Sequence, residues 1–371
     1  MVNPMSKKVV FSLGDPSAEK ILNSILPLLE SKDWEFYGIT GNLLEKKITS
    51  LGRIEDISAT GVFEILPKIP RIFKVRGNLL RFLEREKPQI LVAMDSPGFN
   101  LPLIKEAKKL GVKRVVYFIL PQVWAWKESR KYHLAQYADV LISILPFERE
   151  YFKEFPHVEF HFVGHPSVEL LDKIPTETPK GCYFVIFPGS RKNEIKKHAK
   201  VLYQATSIAV KELGLKAVLL TFKNFKGLLK PLRKLSKVVY LDENPQKGLF
   251  LIKHAKFGWI KSGTTALETA LLETPHLIFY KTNPLTHFLA KRLVKVPHLH
   301  LANIVLGERV VPELLQGELT PKNLLKTTYH ILEIGDYQRD QFRILKKLLN
   351  PKGGSVLKRI AEIIRGEMEK F

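Results

Sequence analysis

FVIFPGSRKNEI, residues 184–195, runs from an unbroken apolar stretch through Pro188-Gly189 into a helix opening at Asn193-Glu194. Strand, glycine turn, helix is the repeating unit of a parallel α/β sheet, whose ligands sit outside the carboxyl ends of the strands. A glycine turn at a helix N-terminus offers free backbone N–H groups to an anion, and Arg191 adds a fixed cation suited to a diphosphate. The same residues equally describe a plain strand-to-helix turn capped by Ser190 or Asn193. Both readings stand on the sequence.

The rhythm continues on either side. Downstream come a helical stretch over 193–213, KAVLLTF, a lysine-rich helix, KVVYLD, a short helix near 246–254, FGWIKSG, a helix from 264 and HLIFYK. Upstream, KKVVFSL, WEFYGIT, PQILVAMD, KRVVYFI and ADVLISIL alternate with amphipathic stretches. Short apolar runs alternating with helical patterns predict doubly wound α/β domains. The stretch GHPSVELLDKIPTETPKG, 164–181, breaks the pattern with proline, glycine and threonine. Three parts follow: an α/β domain over 1–168, a second over 169–350, and a tail helix over 351–371. The tail is expected either to pack back on the first domain or to exchange with a second copy in a homodimer, and Gly353-Gly354 permits both paths. Two such domains facing one another leave a cleft.

Composition narrows the function classes. The chain has 371 residues, 45% of them hydrophobic, enough for two cores. Its single cysteine, Cys182, allows neither an internal disulfide nor a thiolate metal cluster, so a reducing, cytoplasmic setting is expected. MVNPMSKKVVFSLG lacks the features of a secretory signal, and no apolar run reaches the roughly 20 residues of a membrane span. Lys+Arg 59 against Asp+Glu 37 gives +22, a field that concentrates phosphates from nucleic acid, anionic lipid or a metabolite. A nucleic-acid-binding protein is the rival that this charge suggests, but the glycine turns at strand ends argue for a nucleotide enzyme.

Three further junctions carry chemistry. In GWIKSGTTALETALLETP, Ser262-Gly263-Thr264-Thr265 follow a strand, with Glu268 one turn into the next helix. The turn faces phosphate oxygens and Glu268 a ribose diol, or Thr264 or Thr265 forms a capping box with the glutamate. In ILVAMDSPGFN, Asp95 emerges at a strand end, where partial burial would make it a general base; a turn-stabilising aspartate is the alternative. In LPQVWAWKESRKYH, Trp124 and Trp126 lie beside Lys127, Arg130, Lys131 and His133, a composition that suits a sugar ring, anionic headgroups or simple core packing. The basic amphipathic stretch from about 60 to 85, with Gly61, Glu64, Arg71 and Arg76, reads as a membrane-docking or acceptor-side surface, as does THFLAKRLVKVPHLHL; the alternative is an apolar stripe packed on its own sheet.

Taken together these residues resemble the lipid-A-disaccharide synthase family, inverting glycosyltransferases of the two-Rossmann-domain GT-B type. The resemblance runs from about residue 59 to 325. It rests on Asp95-Ser96-Pro97 with Phe99-Asn100, PQVWAW at 121–126, LPFE at 145–148, FVGHP at 162–166, PGSR at 188–191 with Glu194, SGTTALE at 262–268, PLT…LAKRLVKVP at 284–297, Asn303, and VPELLQ at 311–316. It implies transfer of diacylglucosamine from UDP to a diacylglucosamine 1-phosphate through a β-1′,6 linkage, with no metal and no cofactor. By analogy Gly189, Ser190, Arg191, Gly263, Thr264, Thr265, Glu268 and Asn303 line the UDP site. Asp95 deprotonates the acceptor 6-hydroxyl, and Arg191 offsets charge on departing UDP. Gly14, Ser17, Gly61, Glu64, Trp124, Trp126, Arg71 and Arg76 serve the acceptor or an anionic membrane, and peripheral association with the inner face of the inner membrane is expected. The chain departs from the family at Gly14-Asp15-Pro16-Ser17-Ala18-Glu19, where a Gly-Glu-x-Ser-Gly-Asp turn is usual, and at Gly98, where a second acid is. Two alternatives are another UDP-sugar transferase with a lipid-linked acceptor and a relative that binds without turnover.

Overall fold

The computed structural model describes residues 6–58, 66–177, 182–283, 292–293 and 295–371. The chain divides into two compact units, Met1–Pro166 with Asn350–Phe371, and Ser167–Leu349.

Among the described residues, the first unit holds a parallel sheet of β1 (Lys7–Leu13), β2 (Trp34–Thr40), β3 (Thr49–Arg53), β4 (Ile90–Met94), β5 (Arg114–Phe118), β6 (Val140–Ser143) and β7 (Glu159–Phe162), in the order β3-β2-β1-β4-β5-β6-β7. β4, ILVAM, is buried along its whole length, as an unalternating apolar strand must be when helices cover both faces. The order reverses between β1 and β4, and their register pairs Leu13 with Met94, so the residues that follow, Gly14 and Asp95, leave the sheet side by side.

Helix α1 (Pro16–Leu29) starts on an Asp15 cap whose carboxylate accepts from the Ala18 amide at 2.8 Å, with Pro16 in the first turn. Helix α2 (Ile69–Glu86) buries Val75, Leu79, Phe82 and Leu83, one stripe at helical spacing, and ends at Lys87 in the left-handed region before Pro88. The stripe does pack on the unit's own core. The opposite face is not covered: Phe73 is 66% exposed and Ile69 37%. The tail helix Val356–Met368 packs against α1 of its own chain, where Arg365 donates to the Leu28 carbonyl (2.7 Å), Phe371 meets Trp34 edge-on and Glu367 pairs with Arg114.

The second unit repeats the plan with β8 (Tyr183–Phe187), β9 (Lys216–Thr221), β10 (Ser236–Tyr240), β11 (Gly258–Lys261), β12 (His276–Tyr280) and β13 (Glu313–Leu315), ordered β10-β9-β8-β11-β12-β13. The sheet is parallel throughout, and its reversal lies between β8 and β11, where Phe187 pairs with Ile260. Pro188 and Lys261 therefore emerge as neighbours. A core of Phe184, Ile186, Trp259, Phe257, Leu219 and Leu202 backs that junction.

Candidate active site

The turn after β4 is strained and heavily supported. Asp95 and Ser96 both have positive φ, 55° and 44°, a conformation unfavourable for residues with a Cβ. Buried Asn100 donates to the Asp95 carbonyl at 2.8 Å and reaches the Met94 and Ser12 carbonyls, while its own oxygen accepts from Ser12 Oγ at 2.6 Å. The buried Tyr117 hydroxyl also donates to the Asp95 carbonyl, at 2.9 Å. These bonds hold the backbone through the Asp95 carbonyl, while the Asp95 carboxyl accepts from the Ser96 amide and meets Asp15. Burial, then the nearby charge of Asp15, pushes Asp95 up to about 7, with the Ser96 amide opposing. A carboxyl titrating near neutrality is equipped to accept a proton from a hydroxyl.

Gly14 is the other wall of this turn. A Cβ on it would lie 2.0 Å from Ser96 Cβ, closer than two carbons approach without bonding. Gly14→Ala is expected to push the Asp95–Ser96 turn out of place and cut turnover at least tenfold with the nucleotide site intact. Turnover within twofold of wild type in a folded Gly14→Ala protein would contradict this coupling. Ser17 is exposed and bonds Asp15 Oδ1 at 2.7 Å, so it props the α1 cap.

The aromatic segment divides. Trp124 is a core residue, 5% exposed, stacked edge-on against Phe147 with its N–H given to the buried Glu148 carboxyl at 3.2 Å. That corrects its expected place on the acceptor or membrane surface. Trp126 is partly exposed and lies under two cations, Arg130 at 4.6 Å and Lys127 at 4.9 Å from the ring centre. Arg71 is exposed and Arg76 half-exposed on α2. Gly61 and Glu64, and 284–291 and 294 of the second basic segment, lie outside the described residues.

In the second unit, helix α4 (Lys192–Leu213) opens directly after the Pro188–Arg191 turn; α3 (Pro97–Lys109) holds the equivalent position after Asp95. Gly189 has φ 117° and Gly263 φ 151°, values that favour glycine at both turns. Neither helix start carries the side-chain cap that sequence reasoning allowed. The residue preceding α4 is Arg191, that preceding α5 (Thr264–Leu271) is Gly263, and no side chain caps either. Without side-chain caps the helix starts stay open to an anion, although the Ala266 amide of α5 already donates to the Gly263 carbonyl at 3.0 Å. Ser190 and Thr264 are exposed beside them, Thr265 is partly exposed, and Glu268 sits half-buried one turn into α5.

Charge at the junction centres on Glu194. Its Oε1 holds Arg191 at 3.0 Å and Lys261 at 3.1 Å, and Lys261 lies over the Tyr280 ring at 5.1 Å. Behind them His198 links the two strand ends. One ring nitrogen meets the Pro188 carbonyl (3.0 Å) and the other accepts from the Lys281 amide (3.1 Å). That pattern assigns the proton to Nδ1, and burial holds the ring neutral, down at about 4. Sequence reasoning passed over Lys261 and His198: a lysine closing a strand and a histidine inside a helix carry no motif.

Asn303 is bonded within the fold. It is fully buried, its amide donates to the Val311 carbonyl (2.8 Å) and Glu313 (3.0 Å), and its oxygen accepts from the Val311 amide (2.8 Å). With its amide and its oxygen both bonded internally, it holds the strand approach to β13.

No helix among the described residues is long and apolar enough to cross a membrane. The family model described as Lipid-A-disaccharide synthetase matches residues 9–364. The chain is similar to lipid-A-disaccharide synthases from Aquifex aeolicus (40% identity, 84% of this chain and 86% of the relative) and Persephonella marina (34%, 97% and 98%). Among solved structures it resembles the S. aureus MnaA–UDP co-structure (TM-score 0.67, 14% identity, 98% of each chain) and Acinetobacter baumannii MurG (0.56, 15%, 97% and 99%), likenesses of fold.

Proposed function

The chain belongs to the lipid-A-disaccharide synthetase family, and from that premise we propose how its residues carry out the transfer of a lipid-bearing sugar from UDP to a lipid-bearing acceptor. The donor is UDP-2,3-diacylglucosamine and the acceptor 2,3-diacylglucosamine 1-phosphate. The acceptor 6-oxygen forms a bond to the anomeric carbon as the bond from that carbon to the UDP oxygen breaks. The hydroxyl proton passes to Asp95, and UDP leaves with the electron pair. One displacement without a covalent intermediate inverts the anomeric centre.

The observation that carries the reading is Asp95 itself: a carboxyl pushed up to about 7, chiefly by burial, on a turn whose main chain is held by Asn100 and Tyr117. The second unit binds UDP through the first-turn amides of α4 and α5, with Ser190, Arg191, Gly263 and Thr264 at the diphosphate and Glu268 at the ribose. Arg191 opposes the negative charge that grows on the leaving group.

Both substrates carry acyl chains, so the protein must work at a lipid surface. The exposed face of α2 suits that task, with Phe73 and Ile69 available for insertion and Arg71 and Lys74 beside them on the same helix. A Phe73→Ser protein is expected to sediment several-fold less with anionic phospholipid vesicles while keeping its affinity for UDP. Equal sedimentation would remove α2 as the docking element.

The deciding assay is UDP release from UDP-2,3-diacylglucosamine with and without 2,3-diacylglucosamine 1-phosphate. Acceptor-dependent release of one UDP per disaccharide is the expected result. UDP binding without release on this acceptor would leave the nucleotide site standing and overturn the acceptor assignment.

A further inference from the structure

Two neighbouring features of the β8–β11 junction are unexplained by the protein's own contacts. Lys261 is the last residue of β11, and its side chain is only 11% exposed. Burying an ammonium group is costly, and in Lys261 burial pushes the pKa down, offset only by Glu194 and opposed further by Arg191. Glu194, 7% exposed, uses one oxygen for both cations, while its other oxygen, Oε2, is buried with no hydrogen-bond partner among the described residues. An ion cluster built for stability would satisfy that oxygen.

The geometry also says what lies next to the lysine. A Cβ on Gly189 would stand 3.3 Å from Lys261 Cγ and 3.2 Å from Glu194 Oε2, and a Cβ on Gly263 would stand 3.8 Å from Lys261 Nζ. The lysine side chain thus runs past Gly189 with its stem and brings its ammonium beside Gly263, the two glycine turns that open α4 and α5. Two cations share one carboxylate there, which leaves a net positive charge beside the uncapped helix starts.

We infer that Lys261 is a second diphosphate-binding cation of the nucleotide site, held in place by Glu194 and presenting its ammonium to the phosphate oxygens of UDP. The inference rests on the second unit being the UDP site. Glu194 is then a positioning residue, which keeps Lys261 and Arg191 at the turns. A cation fixed in a half-desolvated site has little reorganisation left to make when the diphosphate arrives.

The test is calorimetric binding of UDP and of uridine to wild type and Lys261→Met, the unbranched apolar replacement closest in shape. The expected result is a UDP affinity lower by about 10- to 100-fold, as for one buried charge-assisted contact, with uridine affinity within twofold. Unchanged UDP affinity in a folded Lys261→Met protein overturns the inference. So does an equal loss for both ligands, because Lys261 would then merely support the turn. Wild type that binds no UDP removes the site reading itself, a failure distinct from either. A measurement on wild type guards against a variant that does not fold: among its lysine ¹³Cε signals, the one titrating below the normal lysine range should move to higher pH on adding UDP. A titration insensitive to UDP also overturns the proposal.

Discussion

Asp95→Asn is expected to lower kcat by about 10²–10⁴-fold, the usual contribution of a positioned general base, while leaving UDP affinity unchanged. The substitution should not harm the fold. Asparagine tolerates positive φ better than most residues, and the bonds that hold the turn go to the Asp95 main-chain carbonyl, which the substitution keeps. The linkage sign points the same way. Asp95 titrates at about 7 in the folded protein against an ordinary 3.8, so between those values the folded state binds the extra proton. At pH above 7 its ionised form is therefore a destabilising presence, and the neutral asparagine removes it. A Tm at pH 8 equal to or above that of wild type, with activity lost, is the expected pair of results. A kcat within threefold of wild type would exclude Asp95 as the base.

The same pKa sets the pH profile. A base must be ionised, so turnover should fall with a slope of one as pH drops below about 7. Asp15→Asn takes away the like charge, the second cause of the raised value after burial, and should move this acid limb to lower pH. A limb unmoved by Asp15→Asn would show that burial alone sets it.

Arg191→Ala is expected to cost about 10²–10³-fold in kcat/KM, the size of effect seen when one fixed donor to a developing anion is removed. Arg191 precedes α4 with its side chain one-third exposed and paired, among the described residues, with Glu194, so its guanidinium can turn to a ligand without unpacking the core. Because the charge it opposes grows as the bond to UDP breaks, most of the loss should fall on kcat. Arg191→Lys should recover little, since an ammonium cannot span two phosphate oxygens as a planar fork does. If Arg191→Ala changes KM alone, the residue binds ground-state UDP and does not assist its departure.

Much of this architecture could be read from residue order. ILVAM and YFVIF are apolar at every position, which only a strand covered on both faces tolerates, and the amphipathic runs between them demand crossover helices. That logic placed Asp95, Gly189 and Gly263 at strand ends. It also left alternatives that local sequence cannot resolve. SGTTALE fits a capping box as well as an anion site, and only the observed helix start, at Gly263 with no side-chain cap, removes the first.

Side-chain environment was the part beyond reach. Trp124 and Trp126 are two residues apart, yet one fills the core against Phe147 and Glu148 while the other lies under Arg130. Asn303 looks like a ligand residue, and its three hydrogen bonds to Val311 and Glu313 are visible only in the fold. The sequence by itself determined two doubly wound α/β domains and the strand ends where chemistry belongs, because hydrophobic periodicity and glycine turns act over a few residues. Only the tertiary structure decided that Asp15 faces Asp95 across the β1–β4 reversal and that Lys261 runs past Gly189 to bring its ammonium beside Gly263. Asp15 lies 80 residues from Asp95 and Gly189 lies 72 from Lys261, and no local pattern records the burial and charge such distant residues impose on each other.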